Sequence, residues 1–194
     1  MGHTPNEETF CDPRNIYGAM KFGGEKLALA YGNVFDFPVT VVRPSALYGP
    51  RCISRRVLQI FIENAMRNSN LIIKGDGQEG LDFTYIDDLV SGLLSLLLNE
   101  RSYGQVFNLT RGKAQTLLSA ANFIKEQFPG LEIEFEERDA LNPERGALDI
   151  SKAQSILGYS PKFDLPAGLT SYISWYKQFS EFFAEEALGP ESNE

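Results

Sequence analysis

The run Val39-Thr40-Val41-Val42-Arg43, closed by Pro44, constrains this chain more than any other stretch. Consecutive β-branched residues are stiff in a helix but pack well on a pleated surface. An apolar run without alternation suits a strand covered on both faces, as in a parallel sheet. Parallel strands need crossover connections, usually helices, so the run commits the chain to an α/β class. Gln105 to Thr110 returns to strand, and its centre Val106–Leu109 is read as a second central parallel strand. Two central strands make a poor sheet, so the pattern implies that further strands precede them.

Helical patterns fill the intervals. The first runs from about Ile16 to Tyr31, with Ile16, Met20, Leu27 and Tyr31 on an apolar side. Ala19, Gly23 and Gly24 admit a close neighbour, and Gly32-Asn33 reads as the stop. From Ser54 to Asn68 the pairs Val57/Leu58, Phe61/Ile62 and Ala65/Met66 recur every fourth residue. Leu89 to Leu98 is apolar on nearly every side and is expected to be buried, with Asp87 or Asp88 as its cap. Leu117, Ala121, Ile124 and Phe128 mark a helix closed by Pro129-Gly130, and further helices start at Ser151 and Leu165. The last carries Tyr172, Ile173, Trp175, Tyr176 and Phe179, read as packing residues, to about Phe183. Short strands are expected at Leu71–Ile73, Phe83–Ile86 and Ile133–Glu136, the last as an edge with one wet face. Gly75-Asp76-Gly77 reads as a turn.

Two stretches carry chemistry. Ser45 to Pro50 lies at the carboxyl end of the first strand, where open α/β sheets place their ligands. Tyr17 and Lys21 open the first helix four residues apart and so share one face. A cation near a phenol favours the phenolate, and such a tyrosine can exchange a proton with an alcohol near neutral pH. Taken alone, the pair reads equally well as an ordinary exposed helical couple.

Composition removes several classes. A net charge of −8 opposes nucleic-acid binding. No apolar stretch is long enough to span a bilayer, since Leu93 to Leu98 is far too short. Two cysteines, Cys11 and Cys52, and no secretory pattern at the start are read as free thiols in a reducing cytoplasm. The one histidine, His3, lies in a terminal loop without partners at ligand spacing, so no metal site is expected.

In order and spacing, several segments together resemble the extended branch of the short-chain dehydrogenase/reductase family, the NAD-dependent nucleotide-sugar epimerases and dehydratases. They are Tyr17-Gly-Ala-Met-Lys21, Arg43-Pro-Ser-Ala-Leu-Tyr-Gly-Pro50, Gly75-Asp-Gly77, Asp82-Phe-Thr-Tyr-Ile-Asp-Asp88, Val106-Phe-Asn-Leu109 and Asp149-Ile-Ser-Lys152, followed by Leu157-Gly158 and Pro161-Lys162. The resemblance covers roughly Pro13 to Tyr176. It implies the C-terminal part of a Rossmann-like, doubly wound NAD-binding fold plus a smaller α/β substrate-binding lobe. Residues 1–50 and 103–112 would be the remnant of the NAD-binding domain, 51–102 and 113–180 the lobe, and 181–194 an acidic tail. The family's glycine-rich turn, which sets pyrophosphate at a helix N-terminus, is not found in this sequence, and its catalytic Ser or Thr would lie upstream of the tyrosine. The 194-residue chain alone is accordingly expected neither to hold NAD tightly nor to turn over.

By the same resemblance, Tyr17 is the acid/base that takes a proton from a sugar hydroxyl while hydride passes to NAD. Lys21 would hold the nicotinamide ribose, and Pro44, Ser45, Ala46 and Leu47 would border the nicotinamide. NADP is not excluded, because the residue that reads the ribose 2′ position would lie upstream. Two positions depart from the family pattern: Ala46 stands where Asn is usual, and Leu81 where a phosphate-binding Arg is usual. Arg145 would supply a second phosphate contact, with Arg55 and Arg56 as further candidates. A UDP-glucose 4-epimerase-like enzyme, acting as a homodimer, is the leading expectation. The alternatives are a reductase of a non-nucleotide carbonyl compound and a non-catalytic remnant or partner subunit.

Overall fold

A computed structural model of the chain describes residues 4–138 and 145–187. Its first helix, α1 (Ile16–Phe35), leads to strand β1 (Val41–Arg43) and, through the 44–46 loop, to β2 (Leu47–Tyr48). Helix α2 (Val57–Met66), the short strands β3 (Leu71–Lys74), β4 (Gly80–Leu81) and β5 (Thr84–Tyr85), and helix α3 (Ile86–Leu97) follow. Strands β6 (Val106–Asn108) and β7 (Gln115–Thr116) precede α4 (Leu117–Gln127), β8 (Ile133–Glu136), α5 (Ser151–Leu157) and α6 (Leu165–Ala187).

The two strands read as central pair with each other. β1 and β6 pair in parallel with Val41 opposite Val106 and Arg43 opposite Asn108. β2 pairs in parallel with β5, and β3 with β8, while β4 and β7 are antiparallel. Among the described residues each sheet therefore has two strands. Two buried clusters result. One gathers Leu58, Phe61 and Ile62 of α2, Leu71 and Ile73 of β3, Ala121 and Ile124 of α4, and Leu169 and Tyr172 of α6. The other gathers Leu89 and Leu96 of α3, Phe107 of β6, and Ala153 and Leu157 of α5. Helices α3 and α5, which fall within the segments expected for the lobe, thus pack beside the β1–β6 pair. Of the α6 aromatics Tyr172 is fully buried, Trp175 and Tyr176 pack against the core half-buried, and Phe179, stacked on Trp175, is exposed.

Several local expectations change. Gly32 does not end α1; it is buried, and a Cβ there would lie 2.8 Å from Val39 Cγ2. Its smallness lets the helix close on the chain ahead of β1, while Asp36 takes the left-handed capping position and donates its N–H to the Gly32 carbonyl. Neither Asp87 nor Asp88 caps α3, because β5 runs straight into it with Tyr85 at the cap position. Asp88 instead turns inward and accepts the N–H groups of Lys162 (2.7 Å) and Phe163 (3.0 Å). Nor is α3 buried on every side: Leu94, Leu97 and Leu98 face outward. On α1 the expected apolar side, Ile16, Met20, Leu27 and Tyr31, is likewise exposed. In β8 both Glu134 and Phe135 are exposed, so its alternation does not set a buried face. Residues 181–187, assigned to an acidic tail, continue α6, and 188–194 lie outside the described residues, as does His3.

Candidate active site

The start of α1 is fixed by Asn15, whose Oδ1 accepts the Gly18 N–H at 2.8 Å. This satisfies one of the free amides of the first turn and sets the rotation of the helix. Tyr17 and Lys21 then project on the same side, the Lys21 ammonium 5.7 Å from the centre of the Tyr17 ring. Tyr17 is 67% exposed, and both residues line a cavity of about 860 Å³ between α1 and the carboxyl end of β1.

The far wall of that cavity is the loop after β1. Pro44, Ser45, Ala46 and Leu47 all line it. Pro44 cannot continue the ladder, so the chain leaves β1 and rejoins a neighbour at β2, where Leu47 pairs with Thr84. The Ala46 carbonyl accepts the Thr84 N–H at 3.4 Å. Ala46 has φ 35°, on the left-handed side where Asn is tolerated better than Ala. The change from the usual Asn thus removes a polar side chain and also the residue best suited to this backbone.

A charge cluster closes the floor. The Arg43 guanidinium donates to both oxygens of Glu25, Nε to Oε2 at 2.8 Å and Nη2 to Oε1 at 2.7 Å. Its Nη1 donates to the Glu7 carbonyl at 3.2 Å, while the Glu7 carboxylate accepts the Asn108 N–H at 2.8 Å. The Pro5 carbonyl accepts the Asp149 N–H, so residues 5–9 strap the carboxyl ends of β1 and β6. The hydrogen bonds from Arg43 hold the Glu25 carboxyl below the usual carboxylate range against the opposing effect of burial, and Glu25 in turn raises the Arg43 guanidinium.

Of the residues expected from the sequence, Tyr17, Lys21 and the 44–47 loop meet at one cavity, which Arg56 also lines. Arg145 does not line it and is exposed. Arg55 points elsewhere and pairs with Glu63 at 3.2 Å. Leu81 is a core residue. Glu25, Arg43 and Cys11 line the cavity without having been singled out. Glu25 was within reach of the sequence, since it continues the Tyr17–Lys21 face by one more turn. Among the described residues no cluster of three or more His, Cys, Asp or Glu is placed to hold a metal. Among them too, no helix is long and apolar enough to cross a membrane.

Comparison with known proteins adds to this geometry. Residues 1–110 match the NAD dependent epimerase/dehydratase family. An uncharacterized UDP-glucose epimerase of Bacillus subtilis is 33% identical over 172 residues, which is 88% of this chain and 54% of that protein. UDP-glucuronic acid decarboxylase 1 of Arabidopsis thaliana is 32% identical over 182 residues, 89% of this chain and 41% of that protein. A crystal structure of UDP-glucuronic acid 4-epimerase from Bacillus cereus, with UDP-glucuronic acid and NAD, superposes with a TM-score of 0.86. It is 28% identical, and the match covers 92% of this chain and 58% of that one. The chain therefore spans about half the length of the relatives it matches.

Proposed function

Because the chain belongs to the NAD-dependent epimerase/dehydratase family, we propose that it carries the acid/base half of an NAD-dependent enzyme acting on a nucleotide sugar. The observation that carries this is the meeting of Tyr17, Lys21 and the 44–47 loop at one cavity of about 860 Å³. Small-molecule sites run to roughly 300–1,000 Å³, so the space suits the nicotinamide end of NAD and a sugar ring. The donor set fits as well, with one ammonium for ribose hydroxyls and one phenol for the reacting alcohol. NAD, when bound, supplies the hydride acceptor. Tyr17 takes the proton of a sugar hydroxyl at Oη and returns it, and Lys21 supplies the positive charge that the phenolate form needs. The 44–47 loop would border the nicotinamide, its backbone groups fixing which face is presented.

In an active enzyme carrying this chain, Tyr17→Phe is expected to lower turnover about 10²–10⁴-fold with NAD binding kept, since only the transferable proton is removed. Full activity in that variant would retire the reading.

The substrate reading draws on relatives that act on UDP sugars. Arg145 is assigned the diphosphate, and loss of UDP binding in Arg145→Ala is the supporting result. A second reading, a reductase of a non-nucleotide carbonyl compound, is favoured by the burial of Leu81, which offers no phosphate grip. Absence of UDP binding to the enzyme would select it. Residues 1–50 and 103–112 are assigned to the cofactor side and 51–102 with 113–180 to the substrate side. The exposed apolar side of α1, from Ile16 to Phe35, supports a homodimer formed through this helix, and a monomer in sedimentation would count against it. The two free cysteines support a cytoplasmic setting.

A further inference from the structure

We propose that Arg43 is a positioning residue which, by occupying both oxygens of Glu25, leaves the Lys21 ammonium free to serve Tyr17. The inference rests on Tyr17 and Lys21 being the working pair. Glu25 lies one helical turn beyond Lys21 on the same face of α1, the spacing at which opposite charges attract. Its side chain is only 8% exposed, so a carboxylate that lost its guanidinium, with Lys26 reaching Oε1 alone, would draw a free ammonium from the same face to Oε2.

Arg43 and Lys26 pair with this acid, and Lys21 lies one helical turn back on its face. Arg43 approaches from β1 and presents two donors to two oxygens at 2.8 and 2.7 Å, with its third arm fixed on the Glu7 carbonyl. A planar guanidinium matches a carboxylate in a way that an ammonium cannot. Lys26, whose side chain is largely exposed, reaches Oε1 alone at 3.6 Å. Lys21 forms no ion pair among the described residues and stands over Tyr17. Remove the guanidinium and Oε2 loses its donor, with Lys21 one turn back as the free ammonium on that face. The acid would then pull Lys21 along the helix, away from the phenol. Arg43 thus acts through Glu25 and Lys21 and touches no reacting atom itself.

The test reads Lys21 directly, by NMR of the 194-residue chain with isotope-labelled lysine. The ring-current shift of the Lys21 side chain over Tyr17, identified by its disappearance in Tyr17→Leu, is the signal. Arg43→Met is expected to abolish it, Glu25→Gln to keep it, and the double variant Arg43→Met/Glu25→Gln to regain it. A signal that survives Arg43→Met overturns the proposal. So does a signal that stays lost in the double variant, because the ion pair would then be only a clamp between α1 and β1. Should Arg43→Met unfold, loss of the signal in a folded Glu25→Gln protein overturns the proposal just as well. Turnover by Tyr17→Phe would dismiss the catalytic reading without moving any of these shifts, so the two failures are distinguishable.

Discussion

Asp82→Ala probes what holds the 44–47 loop in place. Asp82 is fully buried just after β4, and its carboxylate has two backbone donors. The Gly112 N–H lies 3.1 and 3.2 Å from its two oxygens, and the Leu148 N–H lies 3.0 Å from Oδ2. Without the carboxylate, Gly112 still has Thr110 Oγ1 at 3.2 Å, whereas the Leu148 N–H loses its one acceptor among the described residues. Stranding a donor costs about 1–3 kcal/mol, and weakening a charge-assisted bond costs about 1 more, so the expected loss is roughly 2–4 kcal/mol. Asp82→Asn, which keeps one acceptor oxygen, is expected to lose less. The assay is urea unfolding followed by circular dichroism, with the midpoint falling at constant slope. The effect should reach the site, because Asp82 leads through Phe83 into Thr84, which pairs with Leu47 and donates to the Ala46 carbonyl. Amide exchange in the 44–47 loop is expected to quicken. A loss under about 0.5 kcal/mol, the range of ordinary surface changes, would refute the reasoning.

Gly168→Ala places a Cβ onto the Tyr48 hydroxyl, so a loss of about 1–3 kcal/mol is expected, partly recovered by adding Tyr48→Phe. Equal stability of Gly168→Ala and the parent would contradict the packing. Glu25 is held low chiefly by the hydrogen bonds from Arg43, so its contribution is present above the unfolded carboxyl value and lost as pH falls through the lower folded one. The stability gap between parent and Glu25→Gln should be flat near neutrality and shrink below about pH 4. A gap that widens on acidification would reverse the sign. Burial raises the Cys52 thiol, but the Ser54 hydroxyl, the N–H groups of Ser54 and Arg56 and the Arg56 charge outweigh it and leave it below its ordinary value. Ser54→Ala should therefore slow alkylation of Cys52 several-fold at neutral pH, and an unchanged rate would dismiss the thiolate argument.

Local rules exposed the parts of this site that depend on local geometry. A spacing of four residues is enough to put Tyr17 and Lys21 on one face, and Pro44 is enough to end β1 and open a loop. That 39–43 and 106–109 are central parallel strands was legible too, but their direct pairing was not, because the pattern of a strand does not name its neighbour. Contacts set by distant chain were not readable in this way. Gly32-Asn33 looks like a stop only until Val39 folds back against the glycine. Asp88 carries the composition of a cap but answers to Lys162 and Phe163, more than seventy residues on. The outward leucines of α3 could not be foreseen, because an all-apolar sequence names no preferred face. Glu25 and Arg43 each looked ordinary, since their meaning lies in the bidentate contact between a helix and the strand after it.

The amino-terminal strap bears on how such a chain is made. Glu7 reaches Asn108 across 101 positions of sequence, and Pro5 waits for Asp149. A nascent polypeptide has no seat for residues 5–9 until β6 and then the segment before α5 have left the ribosome. Loop closures of that span are slow compared with forming a helix. The Tyr17 helix is thus made before its moorings, and a translating ribosome would display its amino terminus unfastened until those later segments emerge.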